Sequence, residues 1–308
     1  MPIFYLFDFR SLWSPYFAIF LLFITVICYL ITVKYRHFFK GSKPPTKKQI
    51  ASFIGFVTIL YIIKGSPIDL MSHMMLTMHM LQMAFLLLIM PILFIHSIPT
   101  WLWRALLNIR VIKFLFHHLT KPVVALLLFN VGFSVYHVPL ILDFSKTTSF
   151  YHASIHTLLF FLAIFMFWPV INPLKEYDKM SGILKTGYMF ANGVLMLPAC
   201  ALIIFANDPM YQTYSDPEAL INALTLCATP SSLSELGSSS PELISLFNPL
   251  GVLQDQQLGG IIMKVVQEIV YGAIIAKIFF EWYRKDQEEA FEETVNFSQA
   301  QSNKDNLK

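Results

Sequence analysis

Long apolar stretches alternate with short polar segments along most of the chain. An α-helix needs about 20 apolar residues to cross a hydrocarbon core that is about 30 Å thick. Seven stretches approach or exceed that length, and most of them carry few charges. They lie at approximately 16–35, 49–64, 71–95, 121–138, 149–171, 186–206 and 258–282. The pattern predicts an all-α fold, a polytopic bundle of seven transmembrane helices.

Lysine and arginine are distributed unevenly between the two sides of this predicted bundle. Most lie in the linkers after spans one, three and five and directly after span seven. The loop 207–257, predicted to be a polar outer cap with one short helix around Glu218–Cys227, contains no Lys or Arg. Because basic residues concentrate in cytoplasmic loops, we expect the N-terminus outside and the C-terminus in the cytoplasm. Residues 1–285 then form one transmembrane domain, and residues 286–308 form a polar cytoplasmic tail.

The overall composition agrees with a membrane protein and excludes several other classes. Of the 308 residues, 56% are hydrophobic and 13% are charged, which is about half the charged share of a soluble domain. This composition excludes a disordered chain, a coiled coil and a nucleic-acid binder. The three cysteines form no CxxC pair, so no thiolate metal site is predicted. Enzyme signatures such as a nucleophile elbow or a phosphate-binding loop do not occur, and the chain is predicted not to be an enzyme.

Histidines are the most unusual residues within the predicted spans. Four of the nine lie at cytoplasmic ends, where an imidazole needs no special role, and five lie in the outer halves of spans three, four and five. These five are His73, His79, His137, His152 and His156. From the rise per residue, His79 and His156 lie roughly 12 and 10 Å below the outer ends of their helices. Polar groups at such depth normally face the bundle interior, so the five histidines predict a shared site.

Spacing and residue type indicate that this site binds a metal. His152 and His156 are four residues apart and share a helix face, so they can hold one ion between them. In the third span Met75, His79 and Met83 also repeat at intervals of four residues. Methionine usually packs a core, but thioethers interleaved with imidazoles suit copper, and Cu(I) in particular. The predicted copper ligands are His79, His137, His152 and His156, with Met83, Met75 and His73 as alternates.

Five further polar or charged residues stand out near or within the spans. Asp255, at the mouth of span seven, is predicted either to orient a histidine or to cap the N-terminus of a helix. Glu268 lies near the bilayer midplane, where an ionisable residue is a functional candidate, but Lys264 is spaced to form an ion pair with it. Asn130 and Asn192, in spans four and six, are predicted to form hydrogen bonds between helices.

Four short motifs together resemble the CtaG-like cytochrome c oxidase assembly factors, polytopic proteins of the bacterial plasma membrane. The motifs are His79-Met-Leu-Gln-Met83 leading to Met90-Pro91, Tyr136-His137-Val-Pro139, His152-Ala-Ser-Ile-His156 followed by Phe167-Trp168-Pro169, and Asp255-Gln-Gln-Leu-Gly-Gly-Ile-Ile-Met263. They occur in the family order, and the likeness extends over roughly residues 10–285. One position departs from the family pattern H-M-x-x-H in span three, because this chain has Met83 in place of the second histidine. Met83 either makes the ligand set softer or is not a ligand.

The resemblance implies a part in the maturation of a haem–copper oxidase in the bacterial plasma membrane, in contact with oxidase subunits. Together with the predicted site, it leads to the hypothesis of an assembly factor that binds copper and delivers it to an oxidase subunit. The copper donor is unknown, homo-oligomerisation is left open, and no nucleic acid is expected as a partner. Three alternatives stay open: a copper transporter, an oxidoreductase with histidine-ligated haem, and a scaffold that binds no metal. The apolar inner halves of spans three to five argue against the transporter.

Overall fold

The bundle is known from a computed structural model that describes residues 7–39, 41–235 and 241–305. Within these ranges the chain is helical and contains no strand. Among the described residues, six helices are long and apolar enough to cross a membrane, and a bent helix pair raises the number to seven. The prediction of an all-α membrane bundle is thereby confirmed.

The α-helices of the described ranges are numbered in chain order. They are α1 (Phe9–Leu12), α2 (Pro15–Tyr29), α3 (Lys47–Gly65), α4 (Pro67–Met74), α5 (Leu76–Ala84), α6 (Met90–Ser97), α7 (Thr100–Leu107), α8 (Arg110–Leu119), α9 (Pro122–Tyr136), α10 (Pro139–Ser145), α11 (Ser149–Ile171), α12 (Gly182–Ile204), α13 (Gln212–Ser215), α14 (Pro217–Leu224), α15 (Pro230–Glu235), α16 (Pro241–Phe247) and α17 (Val252–Asp305). Short π-helical segments, Leu30–Lys34 and Phe85–Ile89, extend α2 and join α5 to α6.

The joined helix α5–α6 is the most buried of the candidate spans, and α2 is the least buried. α5 packs against α17, α17 packs against α12, and α9 and α11 continue the ring to α6 and α3. Between α9 and α12, the Nδ2 of Asn130 donates a hydrogen bond to the Oδ1 of Asn192 at 2.9 Å. The predicted polar contact between spans four and six is therefore confirmed.

The third predicted span, 71–95, is not one continuous helix. Met75 has an extended backbone, with φ −132° and ψ 132°, which ends α4 and precedes α5. The π-helical segment comes directly before Met90 and Pro91, because the proline ring lacks an N–H and clashes with the carbonyl four residues earlier. The expected repeat of Met75, His79 and Met83 along one uninterrupted helix is wrong for Met75, which lies at the break.

The fourth predicted span, 121–138, corresponds to α9, which has only 15 residues. The amphipathic helix α8 precedes it at an angle of 81°. On α8 the side chain of Phe116 is buried whereas Arg110 and Lys113 are exposed. A helix with one apolar and one basic face is typical of the membrane surface, so α8 is suited to lie along the interface while α9 enters the bundle.

The cap 207–257 contains more helix than the sequence predicts. It holds α14, which overlaps the expected helix around Glu218–Cys227, and in addition α13, α15 and α16. Leu220 and Leu224 of α14 are buried in one cluster with Leu70 and Met74 of α4, so apolar contacts hold the cap on the bundle. After the cap, α17 continues as far as Asp305, through most of the segment 286–308 that was expected to be a separate tail.

Candidate functional site

Five histidines from four parts of the chain form a continuous row at one end of the bundle. His73 lies in α4, His79 in α5, His137 directly after α9, and His152 and His156 in α11. The ring centroids are 5.1 Å apart for His73–His152, 4.0 Å for His152–His156, 6.0 Å for His156–His79 and 6.3 Å for His79–His137. All five side chains of this histidine row are buried. The five residues that the sequence singles out are therefore neighbours in space.

A helix start places His152 near the N-terminus of α11, and a helix end places His137 at the C-terminus of α9. The hydroxyl of Thr148 accepts a hydrogen bond from the backbone N–H of Tyr151 and caps α11, which begins one turn before His152. His137 is the C-cap residue of α9. The helix ends there because Pro139 disfavours a helical conformation at the residue before it. The N-terminus of α11 and the C-terminus of α9 therefore lie near the junction of α4 and α5.

Two histidines have one ring nitrogen fixed by a backbone carbonyl. The Nδ1 of His73 lies 2.9 Å from the carbonyl oxygen of Asp69, and the Nδ1 of His137 lies 2.8 Å from that of Phe133. A carbonyl only accepts, so Nδ1 carries the proton and Nε2 carries the lone pair in the neutral ring. Neither Nε2 has a hydrogen-bond partner among the described residues. Metal-binding histidines commonly have this arrangement, with the other N–H donated to a carbonyl.

The hydroxyl of Tyr136 lies between two further histidines, a position that the sequence does not predict. It is 2.9 Å from the Nε2 of His156 and 3.3 Å from the Nε2 of His79. A hydroxyl donates one proton, so it donates to one ring and accepts from the other. The ring that donates its Nε2 proton then has its lone pair on Nδ1. In the sequence, Tyr136 stands out only as the neighbour of His137 in a motif. The helices that its hydroxyl contacts are shown by the packing.

The predicted methionine ligands lie in two different environments. Met83 is fully buried in the main core of the bundle. Met75, at the break before α5, packs instead in the apolar cluster under the cap, with Leu70 and Leu220. In the described ranges no group of three His, Cys, Asp or Glu side chains is already arranged around one metal position. The geometry consists of adjacent imidazole pairs along a row.

Asp255, at the start of α17, holds the first turn of α5. Its carboxylate oxygens accept hydrogen bonds from the backbone N–H groups of Leu76 at 2.6 Å and Thr77 at 3.2 Å. The hydroxyl of Thr77 in turn donates to the backbone carbonyl of Asp255 at 2.8 Å. Gly259 allows this close packing, since a Cβ there would lie 3.1 Å from the carbonyl oxygen of Leu76. Of the two predicted roles, these bonds correspond to a helix cap, although the capped helix is α5 and not α17.

A polar network reaches the histidine row from α3. The Nζ of Lys64 lies 3.4 Å from the Nε2 of His152, 3.1 Å from the Oε1 of Gln82 and 3.4 Å from the Oδ1 of Asp69. The amide of Gln82 also donates to Asp69 at 2.8 Å. This network could not be predicted from the sequence, because Lys64, Asp69 and Gln82 lie on three different helices. It sets one positive charge, partly compensated by one carboxylate, beside His152.

Lys146, between α10 and α11, is a second cation near the row and is itself buried. Its Nζ donates to the backbone carbonyl of Ser72 at 2.9 Å and to the hydroxyl of Tyr214 at 2.6 Å. These partners are neutral, and Ser72 precedes His73 in α4. Burial, followed by the nearby charge of Lys64, lowers the pKa of Lys146 to about 7.

The stability of the protein is expected to rise with pH between about 7 and 10.5 because of Lys146. Its pKa is about 7 in the folded protein against an ordinary value of 10.5, so the unfolded chain binds more protons in this interval. Raising the pH removes that advantage of the unfolded chain. Melting temperatures of the wild type and of Lys146→Met, measured across the interval, should show a steeper rise for the wild type. Equal slopes would contradict a Lys146 that is buried and titrates near neutrality.

A cavity of about 450 Å³ borders one side of the row. His73, His152 and His156 line it together with Lys64 and Asp69, and the remaining walls are mainly apolar side chains of α2, α3 and α11. Cavities of this size and lining are typical of small-molecule sites. The cavity places open space directly beside three of the buried imidazoles.

Comparison with known proteins identifies the family of the chain. No curated protein and no solved structure matches the chain. The family model described as cytochrome c oxidase caa3 assembly factor (Caa3_CtaG) matches residues 27–285. That range includes the whole histidine row, Tyr136, Lys146 and Asp255. The chain therefore belongs to the family of cytochrome c oxidase caa3 assembly factors.

Proposed function

We propose that this assembly factor binds copper, as Cu(I), along the histidine row and delivers it to a subunit of the oxidase. The observation that carries the proposal is the row itself, in which five buried imidazoles lie next to one another across four parts of the chain. Burying a ring nitrogen without a hydrogen-bond partner costs free energy, and such groups are found where they serve a function. Each of the five rings has one buried nitrogen without a partner among the described residues.

The arrangement of the rings favours copper over zinc. Structural and catalytic zinc sites use at least three protein ligands in tetrahedral geometry. The row offers adjacent imidazoles, with His152 and His156 the closest pair, and a pair of neutral nitrogen ligands is sufficient for Cu(I). Imidazole is also a preferred ligand of copper. Because neighbouring imidazoles follow one another along the row, a bound ion has several adjacent binding positions.

The charges around the row favour release of the cation rather than permanent storage. Lys64 lies 3.4 Å from His152, and the amine of Lys146, with a pKa of about 7 and therefore partly charged near neutral pH, is buried next to α4. Positive charges near a bound cation weaken its binding by Coulomb repulsion. A carrier that must hand over its metal needs such exchangeable coordination. With the N-terminus outside, as the positive-inside pattern predicts, the transfer takes place near the outer surface of the bacterial plasma membrane.

Titration of the purified full-length protein with Cu(I), in competition with a chelator, tests the proposal. We expect the protein in lipid nanodiscs to bind Cu(I) in preference to Zn(II). In cells that lack this protein, the caa3 oxidase should contain less copper, and the wild-type chain should restore it. Absence of Cu(I) binding, or normal oxidase copper in those cells, would contradict the proposal and leave a metal-free scaffold.

A further inference from the structure

A groove between α12 and α17 combines charged, polar and small residues within a predicted membrane span. Its volume is about 340 Å³, and most of its walls are apolar. Four polar residues of α17 line it together with two glycines. They are Lys264, Gln267, Glu268, Tyr271, Gly193 and Gly272. The polar residues lie close to the middle of the apolar stretch 258–282.

The ion pair in this groove faces away from the core of the bundle. The Nζ of Lys264 lies 2.5 Å from the Oε1 of Glu268, which confirms the predicted pair. The Glu268 side chain is 62% exposed, whereas that of Lys264 is 22% exposed. Ionisable residues at membrane depth normally face the bundle interior or a water-filled cavity. An exposed carboxylate at this depth therefore indicates a surface that another molecule covers.

Two buried polar side chains of the same groove have unused hydrogen-bonding capacity. Lys264 donates to the Oε1 of Gln267 at 3.0 Å. The Nε2 of Gln267 and the hydroxyl of Tyr271 have no partner among the described residues, and both side chains are at least 98% buried.

The two glycines leave space at the groove. A Cβ at Gly193 would lie 3.2 Å from the Nε2 of Gln267, so any larger residue would crowd that amide. At Gly272 a Cβ would meet no atom of the described residues within 4 Å. Small residues of this kind allow the backbones of transmembrane helices to approach each other closely, so an exposed polar group such as the Glu268 carboxylate can form hydrogen bonds across the contact.

We propose that this groove is the interface of a homodimer in the membrane. Copies with the same membrane orientation are related by a two-fold axis along the membrane normal, and such an interface pairs one patch with itself. Because the Lys264 and Glu268 head groups are 2.5 Å apart, they lie at nearly the same depth. The two-fold axis then places Lys264 of one copy opposite Glu268 of the second copy, and Glu268 opposite Lys264. Charges of opposite sign therefore face each other across the interface. A patch that carries both charges is complementary to itself, whereas a hydrocarbon chain offers neither charge nor hydrogen bond.

The dimer is tested on the full-length protein in nanodiscs or liposomes by single-molecule photobleaching over a range of protein-to-lipid ratios. We expect the wild type to dimerise. The double variant Lys264→Leu/Glu268→Leu should dimerise more weakly, by about tenfold or more. The matched control is Lys277→Leu/Glu281→Leu, which removes an i,i+4 pair of the same helix whose side chains are 63% and 56% exposed. This control should dimerise like the wild type. A monomeric wild type, or equal effects of the two double variants, would overturn the proposal.

Charge reversal and crosslinking keep the test decisive if the leucine variant folds poorly. Glu268→Lys gives a chain with two lysines in the groove, and Lys264→Glu gives one with two glutamates. Each should be largely monomeric alone, and a mixture of the two should form heterodimers. Gly272→Cys should crosslink two copies, whereas Val131→Cys, at a position that is 57% exposed on α9, should not. Crosslinking only through position 131, or no pairing in the mixture, would overturn the dimer, and neither outcome bears on copper binding.

Discussion

Replacing both His152 and His156 by asparagine is expected to abolish copper binding by the purified protein. These two rings are the closest pair in the row, at 4.0 Å between centroids, and they connect His73 on one side to His79 on the other. Losing both removes three of the four neighbouring pairs of the row and leaves only His79 with His137, the most widely spaced pair at 6.3 Å. The change in affinity exceeds the roughly 10- to 100-fold loss that follows removal of a residue that merely supports a metal ligand. Chelator competition with Cu(I) measures it.

The control for this variant is the double replacement of His117 and His118 by asparagine. These two histidines are also neighbours, with centroids 5.2 Å apart, but they are exposed on α8. Their replacement should leave the copper stoichiometry unchanged. The copper assignment fails if the His152/His156 variant folds normally and binds as much Cu(I) as the wild type. Single replacement of His73 or His137, at the ends of the row, should have smaller effects.

Replacing Asp255 by alanine is expected to lower the free energy of unfolding by about 3 kcal/mol, since each hydrogen bond to a charged group contributes about 1.5–3 kcal/mol. Two backbone N–H groups, of Leu76 and Thr77, lose their acceptor in a fully buried position. Buried donors left without a partner carry the full cost of their desolvation. Because α5 begins at Leu76 and carries His79, the variant should also bind Cu(I) more weakly. Unfolding in mixed micelles measures the stability.

The matched control for Asp255 is Asp216→Ala. Asp216 caps α14, with its Oδ2 accepting from the backbone N–H of Ala219 at 3.1 Å in an exposed position. An exposed cap of this kind contributes about 1 kcal/mol. The two variants therefore separate the buried bridge between α17 and α5 from an ordinary cap. Equal destabilisation by the two changes would show that Asp255 is not an essential link between these helices.

Several features of the fold could be read from the sequence because they depend on neighbouring residues. Apolar stretches of helical length predict the spans, since backbone groups in a membrane must be satisfied within each helix. The pairing of His152 with His156 and that of Lys264 with Glu268 follow from the helical repeat alone. The same reasoning failed at Met75, where the sequence shows no proline or glycine and the first turn after the break is capped by Asp255 of a distant helix.

The features that need distant parts of the chain could not be predicted. Tyr136 and His79 are 57 residues apart, and Asp255 and Leu76 are 179 residues apart. In the sequence, Lys146 is simply one basic residue between two predicted spans. In the structure its amine is buried against Ser72 and Tyr214. Burial of a lysine depends on what packs over it, and here that is the helical cap.

The sequence by itself determined the membrane bundle, the uneven distribution of basic residues along the chain, and the set of five histidines near one end. Helical period and hydrophobicity are local properties, so one chain segment is sufficient to define them. Only the tertiary structure decided that the five rings lie side by side, that Tyr136 connects two of them and that Asp255 holds α5. These contacts depend on how helices from distant segments pack and rotate against one another, which the pattern within any single helix leaves open.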